Sequence, residues 1–353
     1  MNELLLPLRP DIPLIAILGY AFFAFAAGLL FTPWYVSFLR RNSIGKQLRI
    51  ETIDGRDPHI FRTYHKDKMG TPTMGGILIW GSMLLTVLFS RVLSLMGWVD
   101  HSILQRGQVY LPLFVLVTLG MLGAVDDYLN VRGIGAKRGL DFMPKFLFLL
   151  LIAGFGAVWF WWKLGYDQIH IPFLGQWMVG WWYVPIFIFI IIATANAVNF
   201  TDGLDGLAGG LLVIAFGSFG ILAYIQGLAI LATFCAVAVG AIAAFLWHNV
   251  PPALFYMGDT GSLALGGTLG VIALMIDDAL VLPFVGAVFV IEALSVIIQL
   301  LSKKFRGGKK VFYAAPIHHH FESLNWGESK VTMRLWIVGG FAAVLGVVIG
   351  IFG

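Results

Sequence analysis

The chain is short of charge. Of its 353 residues only 12% are Asp, Glu, Lys or Arg, where a soluble domain carries about 25%. So few charges do not wet the surface of a globule of this length, which excludes an ordinary soluble enzyme, a disordered chain and a coiled coil. Cysteine is nearly absent. The single Cys235 lies in an apolar run, so there is neither a disulfide framework nor a cysteine-based zinc site. Positive charge is missing over a long stretch: 139 residues pass between Lys163 and Lys303 without a Lys or Arg. That stretch still holds Asp167, Asp202, Asp205, Asp259, Asp277, Asp278 and Glu292. What is abundant is apolar: 59% hydrophobic residues, with 42 glycines. Ten spans of about 20 residues need about 200 apolar residues, close to what the chain has. The net charge of +4 is modest and reflects loop topology, not nucleic-acid binding.

Ten apolar segments are legible, near 13–39, 74–96, 109–126, 144–162, 181–200, 207–226, 228–248, 261–276, 279–301 and 333–352. The first is too long for a signal peptide and has no small-residue cleavage site, so it reads as a span. The expected fold is an all-α polytopic membrane protein of about ten transmembrane helices, one integral membrane domain over 1–353. Basic residues set its orientation. The loop after the first segment holds Arg40, Arg41, Lys46, Arg49, Arg56, Arg62, Lys66 and Lys68, and the loop after the third holds Arg132, Lys137, Arg138 and Lys145. The loop after the ninth holds Lys303, Lys304, Arg306, Lys309, Lys310 and Lys330. By the positive-inside rule these loops are cytoplasmic and both termini are periplasmic. Residues 166–180 alternate and then break at Gly175, which predicts a short periplasmic hairpin.

Five polar constellations fall on the expected cytoplasmic side. Asp126-Asp127 closes the third segment. Adjacent carboxylates at a membrane interface are costly unless a cation or proton separates them, so this is a site for Mg²⁺, a diphosphate or a proton, or a solvated helix end. Asn199-Phe200-Thr201-Asp202-Gly203-Leu204-Asp205-Gly206 places two acids among glycines. Oxygen ligands without sulfur suit a hard cation, against a plain polar turn. Asn249 precedes Tyr256-Met257-Gly258-Asp259-Thr260-Gly261; Asp259 is a metal ligand or a simple helix cap. His318-His319-His320 fits phosphate or sugar contact, or a solvated run. Three adjacent imidazoles on a helix point in different directions. Lys68-Met69-Gly70-Thr71-Pro72-Thr73-Met74-Gly75-Gly76 lacks the P-loop spacing but makes an anion-binding edge. Acids for a metal beside bases for phosphate indicate phosphoryl chemistry, and the membrane body indicates a lipid substrate.

These motifs, in this order over nearly the whole chain, resemble the polyprenyl-phosphate N-acetylhexosamine-1-phosphate transferase superfamily. The triple His with Thr71-Pro72-Thr73-Met74-Gly75-Gly76 resembles its phospho-N-acetylmuramoyl-pentapeptide-transferase branch. The resemblance implies a multi-pass enzyme of the bacterial inner membrane that moves phospho-N-acetylmuramoyl-pentapeptide from its UDP carrier to undecaprenyl phosphate, with Mg²⁺. It implies Asp259, with Asp202, as metal ligands. It implies Asp126 and Asp127 beside the lipid phosphate, with Asp126 as base. Lys68, Lys137, Asn199, Asp202 and Asn249 would line the substrate site. Gly203, Leu204, Asp205 and Tyr256 would lie near uridine, and His318, His319 and His320 at the sugar phosphate. A homodimer is an assembly the resemblance allows, although no sequence feature selects an interface. Two departures stand out. Asn130 replaces a family Lys, so a positive charge must come from Lys137 or Arg138 or be missing, and Tyr256 stands where Phe is frequent. The rival classes are another transferase of the superfamily and an ion-coupled transporter with Glu292 as coupling site. Glu292 also reads as a buried structural acid. A transporter gathers polar groups at the midplane, whereas these gather at the helix ends.

Overall fold

A computed structural model describes residues 12–45, 70–99, 102–105, 107–135 and 139–353. Lys68 and Lys137, both expected in the substrate site, lie outside the described residues, as does Arg138.

The apolar segments become helices, with boundaries near those expected. They are α1 (Leu14–Arg41), α2 (Gly76–Leu95), α3 (Tyr110–Arg132), α4 (Phe142–Val158), α5 (Tyr183–Thr201), α6 (Leu207–Ile225) and α7 (Ala229–Asn249). There follow α8 (Asp259–Met275), the short α9 (Leu282–Val285), α10 (Ala287–Phe305), the short α11 (Ile317–Ser323) and α12 (Glu328–Phe352). Among the described residues eight helices are long and apolar enough to cross a membrane. The two remaining long helices, α8 and α10, differ from the expected uniform spans for separate reasons.

Helix α8 has only 17 residues, about 26 Å at 1.5 Å per residue. Every residue after Asp259 is buried, because α3, α5 and α2 surround it. Thr260, Gly261, Ser262, Gly266, Gly267 and Gly270 keep its surface narrow, so neighbouring backbones approach closely. It is the axis of the bundle and need not match a bilayer by itself. The ninth apolar segment breaks: α9 ends at Gly286, and α10 restarts with a polar stripe facing inward.

The third segment also runs further than its hydropathy indicates. Helix α3 continues to Arg132 and closes on left-handed Gly133, so Asp126 and Asp127 lie inside a helix and both are buried.

The hairpin forms as expected. β1 (Gln168–Ile171) pairs antiparallel with β2 (Gly175–Met178), Ile169 opposite Trp177. Helix α4 reaches it through a π-helical turn, Trp159–Lys163. The hairpin sits at the end of the bundle opposite Asp259: Asp277, just past the C-terminus of α8, accepts from the His170 amide at 3.2 Å.

Candidate active site at the N-terminus of helix α8

Close backbone packing assembles the site. A side chain at Gly123 would overlap the Asp259 carbonyl, and one at Gly76 would overlap the Gly261 backbone. Glycine at both positions brings α2 and α3 against the first turn of α8. Asp127, one turn beyond Gly123, then reaches the exposed amides of that turn. Asp127 Oδ1 accepts from the Asp259 amide at 3.2 Å, and Oδ2 accepts from the Thr260 amide at 3.0 Å and the Thr260 hydroxyl at 2.7 Å. The residue before α8 is Gly258 at φ +73, a conformation that costs glycine little. Helix α8 is therefore capped from another helix. Asp259 is not the cap, and its carboxylate is directed elsewhere.

Asp259 Oδ1 accepts from Asn199 Nδ2 at 2.7 Å, and the same amide nitrogen reaches Ser262 Oγ at 2.8 Å. Asp259 Oδ2 pairs with the Lys145 ammonium. Lys145 also faces Asp126 Oδ2 at 3.5 Å, while Asp126 Oδ1 accepts from the Leu140 amide at 2.7 Å. One ammonium thus lies between two carboxylates. Lys145, at the start of α4, is the residue that sequence reasoning missed. From sequence it reads as a topology marker, and the charge absent at Asn130 is expected at Lys137 or Arg138. The usable signal was its place on the first turn of the helix after Asp126-Asp127.

The second motif forms a separate wall. Asp202 follows the last turn of α5 and is half-buried. Asp205 is buried, its Oδ2 accepting from the Ala253 amide at 2.9 Å and its own amide donating to Glu328 Oε1 at 2.7 Å. Gly206, at φ +78, donates to Asn249 Oδ1 at 3.0 Å, and Asn249 Nδ2 donates to Phe255 O at 2.9 Å. Buried Asn249 thereby ties the Gly203-Leu204-Asp205 turn to the loop before α8. That loop pairs with the Thr71–Gly76 segment: Tyr256 N donates to Pro72 O at 2.8 Å, and Gly75 N to Tyr256 O at 2.7 Å. Burial, with Asp205 nearby, raises the Tyr256 phenol above its ordinary range, so its hydroxyl stays protonated.

The three histidines diverge on α11. His318 is fully buried and its Nδ1 lies 3.0 Å from Glu292 Oε2. His319 Nδ1 lies 2.6 Å from Glu322 Oε2. His320 Nδ1 accepts from the Tyr313 amide at 3.2 Å, and its ring stacks on that tyrosine. Glu292, read from sequence as a coupling site or a structural acid, is buried and paired with a histidine.

The donor set fits Mg²⁺. Among the described residues no three His, Cys, Asp or Glu side chains converge as a self-sufficient metal cage. Mg²⁺ instead takes one or two carboxylates together with phosphate oxygens and water. Asp259 and Asp126 offer two carboxylates around one cation position. Asp126, not Asp202, shares Lys145 with Asp259.

A bundle of membrane helices thus gathers paired carboxylates, an ammonium and an amide at one end, and the proteins it is similar to are transferases. Residues 109–277 match the family model described as glycosyl transferase family 4. The chain is 40% identical to a phospho-N-acetylmuramoyl-pentapeptide-transferase of Chloroflexus aurantiacus over 345 residues, covering 94% of this chain and 88% of that protein. It is also 40% identical to the protein of that name from Geobacillus thermodenitrificans, over 93% of this chain and 96% of the relative, and 39% identical to that of Oceanobacillus iheyensis. The chain belongs to the phospho-N-acetylmuramoyl-pentapeptide-transferase family.

Proposed function

We propose that this protein transfers phospho-N-acetylmuramoyl-pentapeptide from UDP-N-acetylmuramoyl-pentapeptide to undecaprenyl phosphate, giving lipid I and UMP. It works as a multi-pass protein of the bacterial inner membrane, at the first membrane step of peptidoglycan synthesis. The observation that carries this reading is the Asp126–Lys145–Asp259–Asn199 cluster at the N-terminus of α8, in a chain of that family.

The acceptor is a phosphate on a lipid, and the donor is a diphosphate. An oxygen of the lipid phosphate attacks the phosphorus bearing the sugar, and the bond to UMP breaks. Asp126 takes the proton of the attacking group where it carries one. Lys145 faces the negative charge that gathers on the phosphoryl oxygens. Asp259 and Asp126 would hold Mg²⁺, which supplies Lewis-acid stabilisation of the phosphoryl oxygens and the leaving group, and Asp202 would serve the nucleotide side. The turn Asp202-Gly203-Leu204-Asp205 with Tyr256 takes the uridine, and the histidine loop takes the sugar-phosphate side. Lys68 and Lys137 supply positive charge for the substrate phosphates. Direct attack is favoured over a covalent aspartyl-phosphate. In this reading Asp259 holds the metal, a role that competes with service as the nucleophile of a covalent route.

The test is purified protein in vesicles with undecaprenyl phosphate, Mg²⁺ and either UDP-N-acetylmuramoyl-pentapeptide or UDP-N-acetylglucosamine. UMP release with the first donor alone is expected. Release only with the second would move the protein to another branch of the superfamily, and no release with either would remove the enzyme reading. A phosphorylated aspartate trapped on the protein would overturn direct attack.

A further inference from the structure

Helix α10 is amphipathic in the inverted sense of a membrane helix. Ile291, Leu294, Ile297, Ile298 and Leu301 are exposed, whereas Glu292, Ser295, Gln299 and Ser302 are buried. The buried polar residues recur at helical spacing, so they form one stripe. The stripe holds the segment that follows. Ser302 Oγ donates to Lys309 O at 2.9 Å and Gln299 Nε2 to Phe312 O at 3.0 Å. Gln299 Oε1 accepts from the Val311 and Phe312 amides, both at 3.0 Å. These contacts are to backbone and fold the loop. Glu292 is different: its Oε2 accepts from the His318 amide at 3.4 Å and faces the imidazole Nδ1 at 3.0 Å.

With Nδ1 donating to the carboxylate, Nε2 is the nitrogen left to act elsewhere. His318 Nε2 is buried and has no hydrogen-bond partner. It lies against Gly203, where an added Cβ would overlap it. A buried polar atom left unpaired carries a desolvation penalty, so the imidazole is held in this position against it. Gly203 is the residue that lets it come this close to the Asp202–Asp205 turn.

We propose that Glu292 is a positioning residue for the transfer reaction. It fixes the His318 ring through Nδ1 and presents Nε2 at the Gly203 turn, where an oxygen of the donor's sugar-phosphate portion completes the hydrogen bond. This rests on the reading of that turn as the donor-side wall of the active site. Gln299 is the internal comparison, since it secures the same loop without touching a histidine.

The experiment uses the full chain in vesicles with UDP-N-acetylmuramoyl-pentapeptide and undecaprenyl phosphate, and compares Glu292→Gln, His318→Gln and the double variant. Glu292→Gln is expected to keep the donor KM within about two-fold and to lower kcat by about ten-fold or more, and the double variant to be no slower than His318→Gln alone. Losses that multiply, or a Glu292→Gln enzyme with unchanged kcat, overturn the proposal. Glu292→Asp, one methylene shorter with its charge kept, is the second variant. It is expected to fall between wild type and Glu292→Gln, and unchanged kcat in whichever variant folds is equally fatal. An impaired His318→Gln beside an unaffected Glu292→Gln overturns the inference alone. An unaffected His318→Gln overturns it together with the role given to that histidine.

Discussion

Helix α8 has carboxylates at both ends, and they do different things. At its N-terminus Asp126, Asp127 and Asp259 meet Lys145, Asn199 and two main-chain amides. Past its C-terminus Asp277 and Asp278 meet side-chain amides and an imidazole. Gln176 Nε2 donates to Asp277 at 2.6 Å, Gln226 Nε2 donates to Asp278 at 2.8 Å, and His170 Nδ1 lies 3.9 Å from Asp278. The helix dipole favours negative charge at the first end and opposes it at the second. Burial pushes Asp278 from 3.8 up to about 6. An acidic pair is therefore no signature of catalysis by itself. The ammonium and the helix amides capped by Asp127 distinguish the first end, while amide clamps make the other end a tie between α8, the hairpin and α6.

Variants at the two ends test that contrast. Asp259→Ala is expected to lower UMP release by about a thousand-fold or more in the vesicle assay, since it removes the carboxylate that both Lys145 and Asn199 contact. Lys145→Ala is expected to lose about a hundred-fold in kcat, with Lys145→Arg recovering part of it, because the charge returns without the compact ammonium geometry. Asp127→Ala removes a cap supplied across helices, and a drop of about 1–2 kcal/mol is expected in detergent unfolding, beyond any loss of activity.

The smallest effect lies at the hairpin end. A carboxyl whose folded pKa is raised binds its proton more tightly in the folded state. The stability contributed by Asp278 is thus fully present below about 3.8 and is lost as pH rises through about 6. Asp278→Asn is expected to flatten the part of the thermal-stability profile that falls over this window and to leave transfer activity intact. An unchanged profile would show that Asp278 does not titrate there.

The membrane class, eight of the ten long segments and the hairpin were legible because hydropathy and alternation report burial directly. The ninth segment was not, since the break at Gly286 and the polar stripe Glu292-Ser295-Gln299-Ser302 depend on what α10 packs against. The residues of the site were legible by type, with Asp126, Asp259 and Asn199 brought together. Their division of labour was not. That Asp127 caps α8 and leaves Asp259 free to face Lys145 follows from glycine contacts between helices far apart in the chain. Lys145 was hidden for the opposite reason: a lysine near a helix start reads as a topology signal until its partner is known.

If transfer occurs at the N-terminal end of α8, the carboxylates at that end govern turnover and those at the other end do not. The most direct measurement is the initial rate of UMP release from two variants reconstituted side by side, Asp259→Asn and the double Asp277→Asn/Asp278→Asn. The first is expected to be inactive and the second to run at the wild-type rate. A first variant that still turns over, or a second that does not, would contradict this placement of transfer.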